Sequence, residues 1–511
     1  MGWVRPLSAR TGGTAGTLGG KASGLVVLHR LGLPVPAGFV VTTGACRAFL
    51  RDGRPPAGLD EQLAAAVADL ERATGRTFGG PHRPLAVSVR SGAEVSMPGM
   101  MSTVLNLGLT TGATEGLAAE TGDRAFARDA RRGFLASFAE ALAAAAGAAD
   151  VDADVDAVPD DAARQLARAV EAVFASWEAP RARTYRELNG IPHDLGTAVV
   201  VQQMVFGNRD GRSGSGVAFS RDPGTGEDTP FGEVLFGHQG EAVVSGRTTT
   251  RPLRELAERE PEVWAGLRDA LRRIEAHHRD ACYVEFTFQS GELWFLQARP
   301  GRFAGAAAVR VATELADQRL IGRDEALLRV SPLHLRHVRT PRIAPTAEAD
   351  VLVRGTGACP GVATGRIATT ADGAVRMART GPVVLVRPET SPGDLHGLAA
   401  AAGIVTARGG PASHAAVVAR AMGKPAVVGA TGLAVDGASV TAGGRTLPEG
   451  TLVTVDGTSG EVVLGSPRTV TGAADAHLHR LLAWADDASG DHSARDEAQR
   501  LAAAHAALRG R

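Results

Sequence analysis

From residue 1 to about 300, short apolar runs alternate with alanine-rich stretches of helical period. PLAVSVRSG, GTAVVVQQMVFG and CYVEFTFQSGELWFLQARP are rich in β-branched and aromatic residues and bounded by turn formers, the mark of strands. Segments such as PDDAARQLARAVEAVFASW repeat their apolar positions every three or four residues, and the mixture predicts an α+β region. A strand is predicted to end at Arg90, and the last run to form a hairpin turned at Ser290-Gly291. Residues 309 to 330 have helical periodicity with an interruption at Gly322, and SPLHLRHVRTPRIAPTAEAD, with its prolines and no period, reads as a linker. From 351 to about 465 the pattern changes to strands (GRIATT, PVVLVRP, GIVTA, PAVVG, TLVTVDGTSGEVVLG) separated by glycine turns and helices, a compact α/β domain. The expected division is 1–305, a helical segment and linker at 306–350, a second domain at 351–468 and a helical tail at 469–511.

A chain of 511 residues has room for several cores. Its 55 Lys and Arg balance 55 Asp and Glu, which removes the global positive field that a nucleic acid or anionic membrane partner would need. The start MGWVRPLSARTGGTAG lacks a signal-peptide pattern, and His29, Arg30, Pro34 and Pro36 break the most apolar early run, so a cytoplasmic protein is expected. Cys46, Cys282 and Cys359 are scattered without CxxC spacing and suit reduced thiols. Asp152, Asp154 and Asp156 have the opening spacing of a calcium loop, but Ala157 and Ala163 stand where its glycine and glutamate belong, which excludes it. Lys21 and Lys424 are the only lysines, each beside glycine at a helix boundary.

Chemistry concentrates at a few places. In GGPASHAAVVARAMGKPAVVG, His414 falls in the first turn of a helix that Gly423 and Pro425 end. A helix N-terminus disfavours imidazolium and favours an anion on the ring, so His414 is placed as a neutral nucleophile. Lys21 follows two glycines in LGGKASGL, where a backbone can approach a phosphate. Arg90 offers a planar fork for phosphate, and Met97, Met100 and Met101 beside Gly99 suggest a mobile cover rather than core filling. Glu285, Gln297 and Arg299 alternate on one face of the hairpin, a set suited to Mg²⁺ and polyphosphate. GSGVAFSRDPGTGE supplies a glycine-rich turn with Gly214 and Gly216. Singly, each piece reads more readily as an ordinary hairpin, cap or ion pair.

Together, TARGGPASHAAVVARAMGKPAVVG, VLVRPETSPGDL and DGTSGEVVLG resemble the swivelling phosphohistidine domain of the pyruvate, phosphate dikinase family. LGGKASGL, LGLPVPAGFVVTT, SVRSGAEVSMPGMM, GTAVVVQQMVFGN and LWFLQARPGR resemble its ATP-grasp-type nucleotide domain, in order. The resemblance implies that His414 carries a phosphoryl group and that Lys21 and Arg90 contact phosphates. It further implies that Glu285 and Gln297 hold the metal or the ribose-phosphate end, that Arg299 steadies the transferring group, and that Gln202 and Met204 border adenine. Three departures stand out. Pro411 and Ala412 replace the family's Met and Thr before Ser413 and His414, which removes a regulatory phosphorylation site. Tyr283 replaces a carboxylate expected two residues before Glu285 and cannot be an anionic ligand near pH 7. Asp280 or another group substitutes, or turnover is slowed.

The function implied is a phosphotransferase that uses ATP, Mg²⁺ and inorganic phosphate to phosphorylate His414, with AMP released and pyruvate or another acceptor following. The resemblance reaches only the approach to the family's C-terminal (β/α)₈ barrel, so the acceptor is expected on a separate barrel chain. Two other readings fit the same residues: a non-catalytic or regulatory nucleotide-binding relative, and an antibiotic phosphotransferase or phosphoenolpyruvate synthase-like enzyme.

Overall fold

The computed structural model describes residues 2–95, 97, 100–145, 158–245, 248, 250–301, 303, 305–336, 338, 340–344, 350–471 and 476–510; the Asp152–Asp156 loop and Gly99 lie outside them. The architecture is mixed α/β and multidomain, as expected. By compactness the chain forms two units, Met1–Gly211 with Thr287–Ala298, and Arg212–Phe286 with Arg299–Arg511. This division differs from the boundary expected at 305, because the middle of the hairpin bonds within the first unit: Phe295 N donates to Pro34 O, and Arg90 to Leu296 O.

The first unit is built on a five-stranded antiparallel sheet in the order Val4–Pro6, Gly38–Val41, Thr197–Gln203, Val87–Ala93, Thr103–Leu107. Alternate valines of the middle strands, with Leu107, meet Phe134, Phe138, Val170 and Phe174 in one core. The strand carrying Arg90 continues to Ala93, so Arg90 sits mid-strand and not at its end. Gly19 interrupts the helix Ala15–Arg30 at φ 75°, and a Cβ there would lie 1.5 Å from the Gly92 carbonyl oxygen. Of the two glycines before Lys21, Gly19 is therefore required by contact with this strand.

In the second unit, the sheet order is Arg251–Pro252, Phe231–Phe236, Gly214–Phe219, Cys282–Gln289, Glu292–Pro300, its last two strands running on into the first unit. The hairpin turns where expected, with positive φ at Ser290 and Gly291. Gly214 and Gly216 are strand residues, not a turn; a Cβ on Gly216 would meet Phe286 at 2.5 Å. Arg221, without exposed side-chain surface, bonds Glu275 and Glu314 at 2.8 Å each and ties this sheet to the helices Pro261–His278 and Gly305–Asp317.

The α/β domain has an eight-stranded sheet whose centre (Val362–Ala368, Val383–Arg387, Gly403–Thr406, Ala426–Val428) is parallel. The expected linker is partly fixed: Pro341–Ile343 pairs with Thr469–Thr471, and Ile343 N donates to Asp456. Nor is the tail a separate appendage. Leu478, Leu481, Trp484 and Leu501 of its two helices share a core with Val309, Leu315, Leu327 and Leu335.

Candidate functional site

His414 opens the helix His414–Met422, which ends in left-handed Gly423 as its sequence requires. Its Nδ1 is 3.2 Å from Thr390 Oγ1, while Nε2 is buried and has no hydrogen-bond partner. Burial holds the imidazole down at about 4, against the pull of the Asp394 carboxylate, so the ring is neutral at pH 7. The direction is the one the helix N-terminus suggests, but dehydration is the larger cause. Ser413, the N-cap residue, keeps its Oγ buried and unbonded.

The loop before His414 is clamped from two sides. Glu233, 5 % exposed on the strand Phe231–Phe236, accepts from Ala412 N at 3.1 Å and from the Thr250 hydroxyl. A Cβ on Gly410 would fall 1.4 Å from Glu233 Oε1, so only glycine admits this approach. Burial pushes the Glu233 carboxyl above its ordinary range. From the helix side, Arg420 donates to Pro411 O at 2.6 Å and to Ala358 O at 3.1 Å.

In the same unit, Tyr283 is buried and its hydroxyl donates to Glu285 Oε1 at 3.3 Å, with the Arg299 guanidinium 4.4 Å from its ring centroid. Asp280 faces Arg329 at 3.6 Å, which engages the acid weighed as a replacement for the missing ligand. Lys424 donates to the carbonyls of Ala399 and Ala401 at the end of the helix Leu395–Ala400, a C-terminal cap that a compact ammonium suits.

Arg90, Gln202, Lys21, Met204 and Gln297 belong to the first unit. Arg90 Nη2 donates to Gln202 Oε1 at 2.7 Å, and Gln202 Nε2 to Pro36 O at 3.0 Å, so the Gln202 amide, 1 % exposed, is committed inside the unit. A Cβ on Gly92 would lie 3.3 Å from that of Lys21, which places Lys21 over the Arg90 strand. Met204 packs beside Phe206 against Ala86 and Leu109. Met97 and Met100 are buried with Trp177 and Ile191, and Arg181 Nε holds the Met100 carbonyl at 3.1 Å. They fill a core, which corrects the mobile cover expected of them. Gln297 and Arg299 are half-buried on the strand Glu292–Pro300.

Sequence reasoning missed Glu233, Thr390 and Arg420. Glu233 and Arg420 had a signal, a single charge inside an apolar run (FGEVLF, AAVVARAM), where burial demands partners.

Two family models match: "Pyruvate phosphate dikinase, AMP/ATP-binding domain" over residues 55–261, and "PEP-utilising enzyme, mobile domain" over 380–460. They define the class, a chain joining an AMP/ATP-binding type of domain to a mobile domain of the PEP-utilising enzyme type. The chain is 40 % identical to pyruvate, phosphate dikinase of Rhizobium meliloti over 96 % of its own length and 60 % of the relative's. For the Clostridium symbiosum protein the figures are 38 %, 95 % and 60 %, and for pyruvate, phosphate dikinase 2 of Zea mays 42 %, 92 % and 58 %. The chain belongs to the pyruvate, phosphate dikinase family, and it spans about 60 % of the length of these relatives. Among the described residues no helix is long and apolar enough to cross a membrane.

Proposed function

We propose that this chain performs the ATP-dependent phosphorylation of His414 in a pyruvate, phosphate dikinase-type reaction, through an ATP-grasp-like arrangement in its nucleotide-binding region. The observation that carries the reading is the setting of the imidazole: Nδ1 is engaged by Thr390 Oγ1 and Nε2 is buried and unbonded, and the tautomer this reading requires, Nδ1–H donating to Thr390, leaves the lone pair on Nε2. Nε2 attacks the β-phosphorus of ATP, the bond to the α-phosphate breaks, and AMP leaves. Inorganic phosphate takes the terminal phosphoryl group as pyrophosphate, and the group left on Nε2 passes to pyruvate or another acceptor.

Lys21 and Arg90 neutralise phosphates in this reading, Arg299 steadies the transferring group, and Gln202, on the strand Thr197–Gln203, and Met204, the residue after it, support the adenine edge. Gly214 and Gly216 contribute by close strand packing. Among the described residues no three His, Cys, Asp or Glu gather as a metal cage. The chemistry of Glu285 and Gln297 fits Mg²⁺ carried by nucleotide phosphates, which needs only one or two protein oxygens, and the ion when bound neutralises phosphate charge. A second reading, nucleotide binding without turnover, is favoured by the Tyr283 hydroxyl on the Glu285 carboxylate.

Incubation with Mg²⁺ and ATP, with and without inorganic phosphate, separates the two. An acid-labile adduct with AMP on the wild type, absent from His414→Asn, supports transfer. Bound ATP with neither product leaves the binding reading.

A further inference from the structure

The chemistry above gives no task to Phe219, Tyr283 or Arg420, yet they form one continuous stack. The Arg299 guanidinium lies 4.4 Å from the Tyr283 centroid, and Tyr283 meets Phe219 edge-on at 5.0 Å. Phe219 in turn lies 5.8 Å from the Arg420 guanidinium. Phe219 and Tyr283 stand on adjacent strands of one sheet, whereas Arg420 comes from the helix that His414 opens. Ala412, 6 % exposed, shares an apolar cluster with Val217, Phe219, Leu235 and Tyr283. Arg420 also holds the Pro411 carbonyl, so its head fixes both the loop and the stack. Burial brings that guanidinium down to about 10, consistent with a dehydrated contact, where cation–π attraction is strongest.

We propose that Phe219 and Tyr283 form an aromatic platform on which Arg420 and Ala412 seat the loop carrying His414, and that Tyr283, through its hydroxyl, links the seated loop to the Glu285 carboxylate. Phe219, Tyr283 and Arg420 are positioning residues. The value of the seat rests on His414 being the phosphoryl carrier; its existence does not.

The test is hydrogen exchange on the full chain without nucleotide, comparing wild type with Arg420→Gln, Arg420→Lys, Phe219→Ala and Tyr283→Phe. Arg420→Gln is expected to raise exchange about tenfold in residues 410–414 and also in the strands Gly214–Phe219 and Phe231–Phe236 that the loop covers. Arg420→Lys restores part of the protection, and Phe219→Ala reproduces the loss. Tyr283→Phe keeps the ring and the protection, and changes the KM for Mg·ATP while leaving exchange as in wild type. Exchange raised only in the helix of Arg420, or unchanged throughout, overturns the proposal. If Phe219→Ala fails to fold, the Gln and Lys variants at 420 decide alone. Failure of ATP to phosphorylate His414 would remove the proposed function and leave the exchange result standing.

Discussion

The titration of His414 can be worked from its surroundings. Burial takes the ring from its ordinary 6.5 to about 4, and each pKa unit is worth about 1.4 kcal/mol of differential stability, so the group contributes about 3 kcal/mol. The sign follows from proton counts. Between pH 6.5 and 4 the unfolded chain holds a proton on this ring that the folded chain does not, so stability rises with pH across that window. The contribution is fully present above pH 6.5, falls as the pH drops towards 4, and is level below it. His29 and His278 are lowered by burial too, so the slope of the whole protein contains their share. Substitution His414→Asn removes only its own part. The assay is a chemical-shift titration of histidine-labelled protein, with His414 assigned by its absence from the variant, beside unfolding of both proteins at pH 7 and pH 4.5. A midpoint near 4 and a variant that loses less stability on acidification agree with the structure. A midpoint at 6 or above, or parallel stability curves, would refute the claim that His414 is held neutral by burial.

Thr390→Val leaves Nδ1 without its partner, at a cost of about 1–3 kcal/mol, and should slow phosphorylation about tenfold or more while Thr390→Ser retains it, measured as initial adduct formation. Gly410→Ala drives a Cβ into Glu233 and should unseat the loop; adding Glu233→Ala should relieve the clash, so adduct rates in the single and double variants check the 1.4 Å approach. Arg221→Met strands Glu275 and Glu314 and should destabilise the second unit by about 3–5 kcal/mol by denaturant unfolding, with a change under about 1 kcal/mol contradicting the network.

Local pattern carried much of the fold into view. The period-two runs became strands, the Ser290-Gly291 pair turned its hairpin, and Gly423 ended the helix of His414, because each depends on neighbours within a few residues. What depends on distant packing stayed hidden. Gly19 reads as room for a ligand but is needed by the Gly92 carbonyl, and Gly216 is closed by Phe286. Met97 and Met100 read as a cover and fill a core around Trp177. The tail helices gave no sign that their leucines would join those of residues 309–335. At the site, His414 was legible from its motif, but the partners that set its proton and its seat, Thr390, Glu233 and Arg420, come from three other segments, and one chain's spacing does not encode that meeting.

The central claim is that His414 Nε2 receives a phosphoryl group from ATP. Phosphorus–nitrogen couplings, measured by NMR on ¹⁵N-histidine-labelled protein after incubation with Mg²⁺ and ATP, test it most directly. A single phosphohistidine coupled at Nε2, absent from His414→Asn, is the predicted result; phosphate on Nδ1, on another residue, or on none while ATP is bound would contradict it.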